Sequence, residues 1–274
     1  CHTALWDFDG MKYHSWTGEE GLDFPEPADV STINEVIIEG KKFYSGIGIH
    51  DSSSSLAPYF AASKGKFMLI STVTWCINMN PFNAEKLTAE QLDHDCLCYM
   101  SITKKPVKSS RLFMGHIHDV AVQKLNEHFS TDDNYYKSVK TDNKLIEQCR
   151  KNRSKGRIFF NNDPYSREVK EKIDFFVFKS FEEGYHHLMV ELSELAFESI
   201  ELVIPEDDDI ENIYLTGGFS KNQIFNKLIS DAYSIKNVYT SEIFNATALG
   251  AALVILQSLN PGKRPSLNLG LNQC

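Results

Sequence analysis

The chain of 274 residues lacks any apolar run near the ~20 residues that a membrane-spanning helix needs. Its opening, Cys1-His2-Thr3-Ala4-Leu5-Trp6-Asp7, has neither the basic start nor the apolar centre of a secretory leader. It is also short of positive charge. Against 37 acidic residues stand 28 Lys and Arg, a net charge of -9 at pH 7 that disfavours nonspecific binding to polyphosphate or anionic lipid. Nucleic acid and membrane are therefore not expected as partners, and the cytoplasm is the expected compartment. Cysteine is too sparse and irregular (Cys1, Cys76, Cys96, Cys98, Cys149, Cys274) for a disulfide framework, so the six are read as reduced thiols. No second ligand pair at zinc-site spacing follows His94-Asp95-Cys96-Leu97-Cys98, so that cluster is read as local and no metal site is assigned. His116 and His118, two apart on a helical pattern, face different ways and are read as structural or surface side chains. There is no internal repeat and no low-complexity segment, and the acidic run Glu206-Asp207-Asp208-Asp209 reads as a solvated loop.

What the chain does have is a globular composition, 42% hydrophobic and 24% charged, enough to bury one large core or two smaller ones. Glu35-Val36-Ile37-Ile38-Glu39-Gly40-Lys41-Lys42-Phe43-Tyr44 predicts a hairpin turning at Gly40-Lys41, continued through residues 45–49 as a buried strand that ends at His50-Asp51. Ser52 to Ser55 then cap a short apolar helix through Leu56, Ala57, Tyr59 and Phe60. Phe67-Met68-Leu69-Ile70 predicts a strand ending in Ser71-Thr72-Val73-Thr74-Trp75, with another through Cys76-Ile77-Asn78-Met79. Helical spacing runs over residues 115–129 and again over 168–202, where Gly184 is a candidate break. The polar stretch 131–162 is the least regular.

The most informative segment is Ile213-Tyr214-Leu215-Thr216-Gly217-Gly218-Phe219-Ser220-Lys221-Asn222, an apolar strand running into a glycine pair and then an amphipathic helix. Two glycines at a strand's carboxyl end permit positive φ and let a planar or phosphorylated ligand lie against bare backbone. A second strand, Asn237-Val238-Tyr239-Thr240, precedes a helix opening near Asn245. The alternation of strand and helix implies right-handed crossovers and a sheet covered on both faces.

In order, Gly48-Ile49-His50-Asp51-Ser52, Leu69 to Trp75, Leu215 to Asn222 and Ala246-Thr247-Ala248-Leu249-Gly250-Ala251-Ala252 resemble the carboxyl-terminal half of the FGGY carbohydrate kinases, a branch of the actin-like ATPase superfamily. His50-Asp51 followed by small hydroxyl residues is most similar to the rhamnulose and fuculose kinase branch. The resemblance spans about residues 46–256. It implies an α/β fold, an actin-like (ribonuclease H-like) lobe with a mixed sheet and helices on both faces, and transfer of the γ-phosphate of ATP, with Mg²⁺, to a hydroxyl of a ketose or deoxy-ketose. By that resemblance Asp51 corresponds to the catalytic base and, with His50, touches the sugar. Thr72 and Thr74 correspond to a phosphate-facing turn, and Gly217, Gly218 and Asn222 to the adenosine turn. From the residues alone Asp51 is equally a helix cap, and the role of His50 stays open.

Two positions depart from the family's pattern. Val73 stands where glycine is usual, which would cost about 1–3 kcal/mol if the turn needs positive φ there. Asn245 stands where glutamate is common. They leave open an alternative, a catalytically impaired protein of the same fold that binds nucleotide or sugar. A chaperone-type or cell-shape-type ATPase is a third reading, in which Asp51 would have no role. Since no Asp-x-Gly-Thr loop occurs, the chain is expected to be one lobe of a two-lobed enzyme, with 1–45 as connector and end of the preceding lobe, 46–262 as the kinase lobe and 263–274 as a tail. The partners implied are a sugar, ATP and, as an open expectation, a second copy in a homodimer.

Overall fold

The computed structural model describes residues 5–152, 156–161, 168–243, 245–260, 262 and 266–274; Cys1 lies outside them. A seven-stranded mixed sheet forms the centre. Its strands are β5 (Phe67–Thr72), β6 (Cys76–Asn80), β7 (Cys96–Met100), β8 (Pro106–Leu112), β9 (Asn212–Gly217), β10 (Asn237–Ser241) and β11 (Leu271–Gln273), preceded by the short pair β1 (Trp6–Asp7) and β2 (Lys12–Tyr13) and the hairpin β3 (Ile33–Ile38) and β4 (Lys41–Gly46). The spatial order is β11-β10-β9-β5-β6-β8-β7. β5, β9 and β10 run parallel, joined by helical crossovers, while β6, β8, β7 and β11 are antiparallel additions. The edge strand β11 lies within the segment read from sequence as a tail.

Period-two burial divides the sheet's side chains. Met68, Ile70, Cys76, Leu112, Ile213 and Leu215 face one layer of helices: α4 (Met114–Phe129), α5 (Asn143–Asn152), α6 (Phe181–Glu201) and α7 (Gln223–Ala232). Phe67, Leu69, Met79, Val107 and Tyr214 face the other, where Leu56 and Tyr59 of α2 (Asp51–Ala62) pack. Both faces are thus covered, as the alternation of elements predicted.

α8 (Ala246–Leu259) lies against α2 rather than directly on the sheet. Pro58 has no N–H to give the Ser54 carbonyl, and that carbonyl is where Gly250 lands; a Cβ there would come under 3.0 Å from backbone. Ser54 Oγ also donates to Thr247 O at 2.8 Å. The small residues of the Ala-Thr-Ala-Leu-Gly run therefore serve helix-to-helix contact. The remaining helices are short, α1 (Ser15–Glu19) and α3 (Ala89–Asp93).

Four local expectations are corrected. The β3–β4 turn sits one residue earlier than predicted, on Glu39 and Gly40, whose φ values of 50° and 75° fit a two-residue turn with both centres left-handed. Residues 47–50 are not a buried strand, because among the described residues no third strand covers the hairpin and Ile37 stays 69% exposed. The serine run is not a cap: α2 begins at Asp51, with His50 as N-cap. The helix predicted over 168–202 begins only at Phe181, capped by Ser180, and Gly184 does not break it. Gly184 instead admits α4, since a Cβ there would lie 2.7 Å from Leu125 Cδ2.

Candidate functional site: a glycine turn, a hairpin tip and an aspartate cavity

Parallel pairing of β9 with β5 puts Gly217 opposite Thr72. Gly217 takes φ +89°, and a Cβ on it would come closer than 3.0 Å to the Thr72 carbonyl, so only glycine fits. Gly218 is different. Its φ of -65° and ψ of -46° are right-handed, and the nearest atom to a Cβ would be Thr72 O at an ordinary 3.6 Å. Neither conformation nor packing requires glycine there, which leaves bare backbone open to a ligand. The sequence argument from positive φ thus applies to one glycine of the pair.

Thr72, read as phosphate-facing, is buried instead, with its hydroxyl engaged. It donates to Thr216 O at 2.6 Å and accepts from Phe219 N at 3.1 Å, while its carbonyl accepts from Gly218 N at 2.5 Å. It is the clasp that shapes the glycine turn. Asn222 is likewise committed: its Oδ1 accepts from Ile224 N at 3.0 Å and Phe225 N at 3.1 Å, capping α7, and its Nδ2 donates to Tyr185 Oη at 2.8 Å.

Beyond Thr72 the chain turns at Val73 and Thr74, both exposed, and returns as β6. Val73 is 70% exposed and is not among the residues with positive φ, so the strain anticipated for a β-branched residue at this position is absent. The tip rests on the amino terminus of α4, where Gly115 N donates to Thr74 O at 3.0 Å. A side chain on Gly115 would strike the Val73 and Thr74 carbonyls. The tip's carbonyls thus face the first turn of this 16-residue helix, and the Val73 N–H is taken by Trp75 O at 3.0 Å.

Asp51 and His50 sit over the opposite face of the sheet, at the start of α2. There a cavity of about 200 Å³ is lined by His50, Asp51, Ile77, Tyr99, Ser109 and Arg111, among others. The Asp51 side chain is 78% exposed. Its Oδ1 accepts from Ser52 N at 2.7 Å and lies 3.3 Å from His50 Nε2. Tyr99 Oη, buried, has no hydrogen-bond partner among the described residues, and burial first, then the Asp51 charge, push its phenol well above the ordinary value, so it remains a donor. Asp51 occupies the first helical position, with His50 at the N-cap, and its bond from Ser52 N satisfies one N–H of the first turn.

The predicted residues thus fall in two groups: Thr72, Thr74, Gly217, Gly218 and Asn222 around the adjoining turns, and His50 with Asp51 in the cavity. Arg111 joins them. It lines the cavity, its Nε donates to Asp95 Oδ1 at 2.9 Å, and its guanidinium lies 5.1 Å over the ring of Trp75, the residue closing the hairpin tip. Trp75 in turn stacks on Phe113 at 4.6 Å and Phe113 on His116 at 4.8 Å. Sequence reasoning missed Arg111 and Tyr99; their only signal is alternation along β8 and β7, which does not tell a cavity wall from solvent.

The fold, a mixed sheet with helices on both faces, is shared with solved sugar kinases. It superposes on a carbohydrate kinase from Novosphingobium aromaticivorans with a TM-score of 0.71 at 18% identity, covering 100% of this chain and 60% of that one. A ligand-bound xylulose kinase from Lactobacillus acidophilus gives 0.69 at 12% identity over 93% and 53%, and Plasmodium falciparum glycerol kinase with ADP 0.62 at 13% identity over 93% and 52%. The chain spans 60% or less of the length of each. More particularly, residues 177–258 match the carboxyl-terminal domain of the FGGY family of carbohydrate kinases. That match holds α6, the glycine turn and α8. No curated protein sequence matches. Among the described residues no helix is long and apolar enough to cross a membrane.

Proposed function

We propose that the chain is the carboxyl-terminal lobe of an ATP-dependent sugar kinase, phosphorylating a hydroxyl of a ketose or deoxy-ketose. The rhamnulose and fuculose kinases are the branch its His50-Asp51 motif is most similar to. One observation carries the reading: an exposed carboxylate and a tyrosine hydroxyl with no hydrogen-bond partner among the described residues face one cavity, and its wall, Arg111, is stacked on the hairpin that adjoins the glycine turn. In this reading adenosine lies on Gly218, the phosphates lie along the Val73-Thr74 tip over the α4 amino terminus, and the sugar occupies the cavity. Tyr99 Oη donates to a sugar oxygen. Asp51 accepts the proton of the attacking hydroxyl as the oxygen–phosphorus bond to the γ-phosphate forms and the bond to the ADP oxygen breaks. Phosphoryl transfer asks little else of protein groups than placement and charge stabilisation.

Among the described residues no group of three or more His, Cys, Asp or Glu is placed to hold a metal. Mg²⁺ enters only with the phosphates of ATP, as is usual for that ion, and no residue here is assigned to it.

The test is turnover by the protein with its remaining lobe. ADP should form only when a suitable sugar is present, and Asp51→Asn should lower turnover by about 10²–10⁴-fold with nucleotide affinity little changed. Near-normal turnover by that variant would reject the role of Asp51; turnover independent of every sugar would point to another actin-like ATPase. A second reading, binding of nucleotide or sugar without transfer, is favoured by Val73, whose exposed isopropyl group stands at the tip where the γ-phosphate is placed. A large gain in turnover by Val73→Gly supports it, and high activity in the unsubstituted protein removes it.

A further inference from the structure

α4 touches both turns of the proposed nucleotide site. Gly115 in its first turn holds Thr74. One turn on, His118 packs edge-on against Phe219, the residue after the glycine pair, with ring centroids 5.1 Å apart. His118 and Tyr185 are both buried, at 4% and 0% exposure, and they belong to a hydrogen-bonded chain that ends on Asn222.

Its direction can be worked out from donors and acceptors. Asn222 Oδ1 is taken up by two backbone N–H groups, so Nδ2 is the end that donates to Tyr185 Oη. The Tyr185 proton then has His118 Nε2 as its acceptor at 3.1 Å. On the other side of the ring, Nδ1 lies 3.3 Å from Asp119 Oδ1. A carboxylate can only accept, so the imidazole carries its proton on Nδ1. The opposite tautomer would set a lone pair against the carboxylate and leave a buried phenol proton without an acceptor. Burial pushes the Tyr185 phenol up, keeping it a donor, and the His118 hydrogen bond holds the Asp119 carboxyl below its ordinary value.

We propose that the chain Asp119, His118, Tyr185, Asn222 is a positioning relay for the nucleotide. It fixes the first turn of α7 and the Phe219 bend against α4, and α4 in turn carries the hairpin tip. The two turns are thereby held at one separation for a single triphosphate. None of the three residues ahead of Asn222 needs to touch ligand. The inference rests on the kinase-lobe reading.

The experiment is calorimetric titration of the chain with ADP. Tyr185→Phe removes one hydroxyl and keeps the ring; it should weaken ADP by about tenfold, the equivalent of one neutral hydrogen bond. Asp119→Ala alters a side chain 77% exposed, so folding is spared, and loss of tautomer control should weaken ADP by about threefold. The double variant should bind no more weakly than Tyr185→Phe alone, because the relay is already broken; that non-additivity is not expected of two unrelated packing defects. ADP affinity within twofold of the unsubstituted chain in Asp119→Ala, or effects that simply multiply, would overturn the relay. If Tyr185→Phe does not fold, Asp119→Ala still decides. Absence of ADP binding by the unsubstituted chain is a different result, which removes the nucleotide reading and the relay with it.

Discussion

The glycine pair allows stability and binding to be separated by two substitutions one residue apart. Gly217→Ala must place a methyl group closer than 3.0 Å to the Thr72 carbonyl while keeping φ at +89°. The left-handed conformation alone costs about 1–2 kcal/mol for a residue with a Cβ. Backing the turn away from β5 also weakens the bonds from Gly218 N and Phe219 N to Thr72, each contributing about 1 kcal/mol. A total near 3–4 kcal/mol corresponds to a fall in Tm of about 6–16 °C for a chain of this size. Gly218→Ala, in right-handed backbone with its nearest neighbour at 3.6 Å, should leave stability unchanged or raise it by about 0.4–1 kcal/mol, through loss of unfolded-state freedom. Yet it places a methyl group where the ligand is proposed to lie, so ADP affinity should fall at least about tenfold. Urea denaturation and ADP calorimetry on the same two variants read both quantities. A fully stable Gly217→Ala would refute the turn geometry, and a Gly218→Ala chain that binds ADP normally would refute the backbone contact.

Other consequences are independent of the ligand. Thr72→Val keeps the shape but strips the clasp of its hydroxyl, leaving Phe219 N without its acceptor; a loss of about 1–3 kcal/mol is expected in denaturant titration. Gly250→Ala drives a methyl group into the Ser54 carbonyl and should cost at least about 1–3 kcal/mol, by separating α8 from α2. Asp119, whose folded-state pKa lies below its ordinary value of 3.8, contributes stability that is complete above that value and lost as pH falls through the lower folded value; Asp119→Asn should flatten the acid limb of the stability curve in that window.

Much of this fold was legible because its parallel strands announce themselves. Phe67 to Ile70 and Ile213 to Leu215 are unbroken apolar runs buried on both faces, and each ends at a turn signal. The amphipathic spacing of α4 and α7 was equally plain. The helix α5 was not, because it carries a narrow stripe in which only Ile146 and Cys149 are buried, too few to stand out in a polar stretch. The start of α6 was obscured by Phe175 to Val177, which continue its apolar rhythm although they form a 3-10 turn. A better marker was Ser180 with Glu183 three residues on, whose N–H the serine caps at 3.3 Å. At the candidate site, the motifs placed the turns but could not say which side chains look outward: Thr72 and Asn222 are spent on holding the backbone. That distinction belongs to pairing across the sheet. The tertiary contacts of Arg111, Tyr99, His118 and Tyr185 join residues far apart in the chain and left no local trace.

The most direct measurement is a crystal structure of the chain soaked with a non-hydrolysable ATP analogue. The account predicts the adenosine against Gly218, the phosphates along Val73 and Thr74 over the start of α4, and the terminal phosphate directed toward the cavity that holds Asp51. A nucleotide seated on another surface, or a terminal phosphate pointing away from Asp51, would contradict it.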